Sequence, residues 1–197
     1  MKLLLIFTFS LIKLAYCQSN LTWYEVFTEK IEKNDNPEPV RCYGIYGCFP
    51  ITKPWACKER ASNVFPFSPE IIEVKFPLFT NFTRKSPIMI DLDNLEKIHF
   101  ANVSKKSSFY FISHGFLELG NSPWMIKMMN EILNYDNEAV VILVDWRGGS
   151  SMPYYQAAAN IRVVGAVLAH LIAGIFLELK MENLDKFHLI GHSLGEN

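Results

Sequence analysis

Apolar residues in this chain gather into short runs separated by polar, proline-punctuated stretches. Runs rich in β-branched and aromatic residues at Glu73 to Thr80, Phe109 to Ser113, Val140 to Val144 and Phe187 to Ile190 read as strands. The last three barely alternate, which predicts burial on both faces. Two helical patterns stand between them. The first has Ser122 as N-cap and Pro123 at the first helical position, with Trp124, Met125, Met128, Met129, Ile132 and Leu133 at helical spacing. The second begins near Pro153 and places Ile161, Val164, Leu168, Leu171, Ile172, Ile175 and Leu179 on one face, opposite small Gly165, Ala166, Ala169, Ala173 and Gly174. Its run Val163 to Leu177 raises a transmembrane reading, but His170 interrupts it, Arg162 flanks it, and it falls short of the roughly 20 residues of a span. A helix packed on a sheet is the reading adopted. Strand and helix in alternation predict an α/β fold, a mainly parallel sheet with crossover helices.

The first third of the chain differs in character. Residues 41 to 69 carry Cys42, Cys48 and Cys57 with Pro50, Pro54, Pro66 and Pro69, too much punctuation for long elements. Before them, residues 18–40 form a polar arm closing on Lys33-Asn34-Asp35-Asn36-Pro37-Glu38-Pro39. At the start, Lys2, an apolar stretch to Ile12 and Ala15-Tyr16-Cys17 ahead of polar Gln18 read as a signal peptide of residues 1–17. The expected division is therefore leader, arm, and one domain over 41–197. Secretion to an extracellular, oxidising compartment follows, and there Cys42 and Cys48, with Gly44 and Gly47 able to bend the chain between them, are expected to pair. So small a ring contributes about 2 kcal/mol, a local clamp. Cys57 is left odd, either a free thiol or paired with a cysteine outside this sequence. Sequons at Asn20, Asn81 and Asn102 are glycosylation candidates in a secreted chain.

Composition narrows the classes. Of 197 residues, 50% are hydrophobic and 20% charged, which suits one globular domain. A formal net charge of −1 gives no reason to expect nucleic acid or an anionic membrane surface as partner.

The chemistry sits at Gly191-His192-Ser193-Leu194-Gly195, a GxSxG directly after an apolar strand. That is the sequence form of a nucleophile elbow, in which a strained turn pushes a serine hydroxyl out above the sheet. The flanking glycines suit a turn too tight for a Cβ. Ester attack develops an oxyanion that needs donors. The backbone N–H of Leu194 comes with the elbow, and His114-Gly115-Phe116, following the Phe109 to Ser113 run, offers the N–H of Phe116.

Together these blocks resemble the N-terminal part of a secreted lipase of the pancreatic lipase family. The resemblance runs from about Val40 to Gly195. It rests on Cys42-Tyr43 with Gly47-Cys48-Phe49 and Pro54-Trp55, on Pro66-Phe67-Ser68-Pro69 with Phe76-Pro77-Leu78-Phe79-Thr80, and on Phe111-Ile112-Ser113-His114-Gly115-Phe116. Val144-Asp145-Trp146-Arg147-Gly148-Gly149-Ser150, Gln156 through Gly165, and His188 through Gly195 complete it. It implies an α/β-hydrolase fold with Ser193 as nucleophile and Phe116 and Leu194 as oxyanion donors. Substrates would be lipid esters at a lipid–water interface, with triacylglycerol lipase and phospholipase A1 types both open. No metal or organic cofactor is implied.

The family's triad acid and histidine follow the elbow, and this chain has no residues there, so an incomplete domain, inactive alone, is expected. Asp145 belongs to a strand end and is read as structural. None of His99, His114, His170, His188 and His192 reads as the base. The alternative is a catalytically dead, lipase-like protein that binds lipid or a partner. Mass analysis without reduction should join Cys42 to Cys48; a bridge from either to Cys57 would overturn the pairing.

Overall fold

A computed structural model describes residues 39–51 and 64–196. The leader of residues 1–17, the arm as far as residue 38, Asn20 and Cys57 lie outside the described residues. The chain forms β1 (Val40–Cys42), β2 (Cys48–Pro50), α1 (Pro69–Ile72), β3 (Phe76–Phe79), β4 (Ile88–Ile90), β5 (Ser108–Ser113), α2 (Pro123–Tyr135), β6 (Ala139–Val144), α3 (Tyr154–Glu178) and β7 (Phe187–Gly191). The turns Gly44–Tyr46, Leu95–Ala101 and Ser193–Glu196 are 3₁₀.

Five strands make the main sheet in the order β4-β3-β6-β5-β7. β5 runs parallel to β6 and to β7, whereas β3 is antiparallel to both of its neighbours, so the sheet is mixed. The cause is the length of the connections. A crossover through α2 or α3 returns the chain to start the next strand in the same direction, whereas a short turn from β3 reverses into β4.

β6 lies at the centre and every residue in it is buried. Its alternation divides the interior in two. Val140, Ile142 and Val144 join Phe76, Leu78, Phe109 and Phe111 beneath α1 and α3, while Ala139, Val141 and Leu143 meet Met125, Met129 and Leu133 of α2 on the other face. Parallel strands covered on both faces need apolar residues at every position, which is why this run does not alternate in sequence.

Several expectations are corrected. β7 is not buried on both faces: it pairs only with β5, and Leu189 is 65% exposed. The first strand is shorter than its apolar run, because Glu73 turns left-handed (φ 50°) to close α1. Three-residue β1, β2 and β4 are too short to carry a period. Ser122 does occupy the N-cap of α2, but its hydroxyl donates to the Leu119 carbonyl rather than capping the helix.

α3 has 25 residues, longer than its apolar run suggested, and is long and apolar enough to cross a membrane by length and composition. In the fold it packs on the sheet through Ile161, Val164, Leu171 and Ile175, with Val163 and Val167 buried where Leu168 and Ile172 are only half-buried. The expected disulfide is present: Cys42 and Cys48 are bonded and face each other across the β1–β2 hairpin.

Truncating a side chain in the central strand tests this core. Ile142→Ala should cost about 2–5 kcal/mol in denaturant unfolding. Tyr135→Ala, at a position 93% exposed, should stay within about 0.5 kcal/mol.

Candidate functional site

The site is assembled where β5, β6 and β7 end together. Ser113 is in register with Val144 on one side and with Gly191 on the other, so the loops that follow start level. After Gly191 the His192 amide donates to the Ser113 carbonyl (3.1 Å), and the chain turns into Ser193–Glu196. Ser193 has φ +56°, a left-handed conformation that a residue with a Cβ adopts only at an energetic cost.

Close approach explains its neighbours. A Cβ on Gly191 would lie 2.4 Å from the Gly195 carbonyl oxygen, and one on Gly195 would lie 2.5 Å from that of His114. The loop after β5 presses on the same turn, since a Cβ on Gly115 would meet the His192 carbonyl at 2.8 Å and Ser193 Cβ at 2.9 Å. Ser193, Leu194 and the loop bearing Phe116 are thereby brought together. Among the described residues neither the Phe116 nor the Leu194 amide is engaged by another hydrogen bond.

Two arrangements hold this loop. In the first, His114 is fully buried, donates from Nδ1 to the Gly115 carbonyl (2.9 Å) and accepts the Trp146 amide at Nε2 (3.0 Å). Trp146 returns a bond from its indole Nε1 to the His114 carbonyl (2.8 Å), and the two rings stack at 5.3 Å. Both imidazole nitrogens are thus committed. Beside them the Asp145 carboxylate accepts the Gly120 amide (3.2 Å) and the Arg147 amide (3.2 Å), and pairs with the Arg147 guanidinium (2.7 Å).

Burial opposes the Asp145 charge, but contact with the His114 ring and the Arg147 bonds outweigh it and hold this carboxyl well below the usual carboxylate range. Because Nε2 of His114 already accepts from Trp146, the 3.4 Å approach of His114 to Asp145 is not an ion pair and the Arg147 bonds carry the larger share.

Glu118, which sequence reasoning missed, makes the second arrangement. Its Oε2 accepts the Gly115 amide (2.7 Å) and the His192 Nδ1 (2.8 Å), and its Oε1 accepts the Trp124 indole (2.9 Å). One carboxylate therefore ties the β5 loop to the elbow and both to α2. Burial raises its pKa, while the Gly115 amide, His192 and Trp124 lower it further, so the net shift is downward. The signal in the sequence is slight: a lone carboxylate between Leu117 and Leu119 in an apolar stretch.

Of the other predicted site residues, Cys42 and Cys48 lie in the β1–β2 hairpin, while Asn81 and Asn102 are exposed on turns beside the main sheet. His99 pairs with Glu178 (2.7 Å), His170 donates from Nδ1 to the Ala166 carbonyl of its own helix (2.9 Å) and meets the Tyr46 ring edge-on, and His188 stacks on Tyr110. Among the described residues no histidine is hydrogen-bonded to Ser193.

Glu118→Gln should therefore loosen the site. A carboxyl whose folded pKa is depressed stabilises fully above its unfolded value of roughly 4.3 and loses that contribution as pH falls through the folded value. Stability measured by denaturant should drop by about 1–3 kcal/mol at neutral pH, with the gap closing below about pH 4. A gap that persists unchanged at acid pH would exclude this account.

The Lipase family model matches residues 40–197. The chain is 39% identical over 155 residues to pancreatic lipase-related protein 2 of Rattus norvegicus, covering 78% of this chain and 33% of that protein. The figures are the same, 39% over 155 residues, for the protein of that name from Homo sapiens. Inactive pancreatic lipase-related protein 1 of Homo sapiens is 37% identical over 155 residues, again 78% of this chain and 33% of that protein. The chain thus spans about a third of the length of these relatives. With its mixed sheet, crossover helices and tight turn after β7, it belongs to the Lipase family and has part of the α/β-hydrolase fold.

Proposed function

We propose that the protein is a secreted hydrolase of lipid esters in which Ser193 is the nucleophile. The observation that carries this reading is the left-handed Ser193 turn packed against the Gly115–Phe116 loop, with the Phe116 and Leu194 amides open. In the reaction, Ser193 Oγ bonds to the carbonyl carbon of the ester and the carbonyl oxygen becomes an oxyanion held by those two amides. The alcohol leaves with a proton as the acyl-serine forms. Water then attacks the acyl group, releasing a fatty acid and restoring the hydroxyl. The proton moves through a histidine oriented by an acid, the roles that the family places after the elbow.

Lipid as the substrate class is supported by the rim. Leu117, Leu119 and Met152 on the loops beside the elbow, and Tyr154 and Tyr155 at the start of α3, are exposed, and the Phe116 ring sits edge-on to Tyr154 at 5.0 Å. The Leu117 amide bonds the Ser150 carbonyl (2.8 Å), which joins these two loops. An apolar rim of this kind fits acyl chains and a lipid–water interface. The leader at residues 1–17 and the Cys42–Cys48 bridge support an extracellular location.

A second reading, a lipase-like protein that binds lipid without hydrolysis, draws on a relative whose name carries the word inactive. Hydrolysis of a short-chain nitrophenyl ester separates the two. The full-length protein should be active, and Ser193→Ala should lower kcat by a factor of about 10³ or more. Activity that survives Ser193→Ala would eliminate Ser193 as nucleophile, and a full-length protein that binds vesicles without hydrolysis would favour the second reading.

A further inference from the structure

A cavity of about 190 Å³ opens at the end of the sheet opposite the elbow, where the chain enters β5 and β6. It is lined by Thr80, Phe82, Asn102, Ser104, Asn137 and Glu138, with Ala101 and Val140 among its apolar walls. Phe82 is 76% exposed there, and Phe100, two residues before Asn102, is 78% exposed. The Phe82 ring on the cavity wall therefore presents an open apolar face to whatever enters the cavity.

The sequon residue Asn102 lies on the wall of this cavity together with its own hydroxyl residue, Ser104. Asn102 is left-handed (φ 56°) and exposed, and no hydrogen bond engages its side-chain amide among the described residues. The second described sequon is built differently. Asn81 spends its amide on Asn137 Oδ1 (3.2 Å) and its oxygen on Arg84 (2.6 Å), and Thr83 is buried with its hydroxyl bonded to the Leu78 carbonyl.

We infer that the cavity is the seat of the first N-acetylglucosamine of a glycan on Asn102. An N-linked hexosamine presents hydroxyl donors, an acetamido group that both donates and accepts, and one apolar C–H face. The cavity offers a partner for each. The Ser104 hydroxyl accepts the Lys106 amide (3.2 Å) and keeps its own proton to donate. Asn137 accepts from Asn81 at Oδ1 and keeps its NH₂. The Glu138 carboxylate accepts from sugar hydroxyls, and the negative face of the Phe82 ring receives the C–H face. The volume admits one sugar, so the rest of the glycan projects into solvent.

The test follows the chain with a borrowed signal sequence in place of residues 1–17, expressed in cells that make only high-mannose glycans. Secretory entry is then assured, so an unoccupied Asn102 counts against the seat and not against the native leader. Glycopeptide mass analysis should show Asn102 occupied. Endoglycosidase H leaves a single N-acetylglucosamine, and that form should melt with the untrimmed protein. It should melt about 2–4 °C above the Asn102→Gln protein trimmed in the same way, which differs by the Asn102 sugar. In Phe82→Ala, an exposed position, the gap should fall by half or more. Hydrogen exchange over residues 101–107 and 137–140 should slow in the single-sugar form, a readout that needs no cooperative melt. An unoccupied Asn102, equal melting and exchange with and without the sugar, or a gap that Phe82→Ala leaves intact would each overturn the inference.

Discussion

The parallel pairing of β5 with β6 on one side and β7 on the other is the constraint from which the site follows. The three strands end on one rung, Val144, Ser113 and Gly191. Each then releases a loop at the same height: Asp145 to Ser150, His114 to Glu118, and the Ser193 turn. A slip of one residue in either pairing would move a loop by about 3.3 Å and send its side chains to the other face. The two buried layers resist such a slip, because β6 supplies alternate residues to both and a shifted strand would satisfy neither.

Register alone would leave the loops level but free to move. They are fixed by two polar networks, one buried and one partly open to solvent. His114 and Trp146 exchange backbone and side-chain bonds across the β5 and β6 loops, and Glu118 collects amide, imidazole and indole donors from the β5 loop, the elbow and α2. Two carboxylates stand beside the elbow, and each is engaged. Asp145 is matched by Arg147, and both oxygens of Glu118 are occupied, which leaves the Phe116 amide the open one. In the His114–Trp146 pair, breaking one partner costs more than the net worth of the bond, because the other is left buried and unpaired.

The sequence made some of this legible and hid the rest for physical reasons. α2, α3, β5 and β6 are long enough for their hydrophobic pattern to register, and the GxSxG and His-Gly-Phe blocks mark backbone too crowded for side chains, a constraint that composition records directly. Lengths of three residues in β1, β2 and β4 carry no period, so those strands were invisible. The reversal of β3 depends on a connection length and not on strand residues. β7 shows the limit of reading burial from apolarity, since its residues match a core strand while its outer edge pairs with nothing among the described residues. Glu118 was hidden because its three donors come from three elements separated in sequence, which only the folded chain brings to one carboxylate.

The common direction of β5, β6 and β7 also gives the molecule two unlike ends. At one end stand the elbow and its apolar rim; at the other stand Asn102 and the cavity beside it, about 20 Å away along a six-residue strand. A hydrophilic, hydrated group carried at the second end would act as a float. It would keep that end in water and turn the Leu117, Met152 and Tyr154 end toward any apolar surface the protein meets.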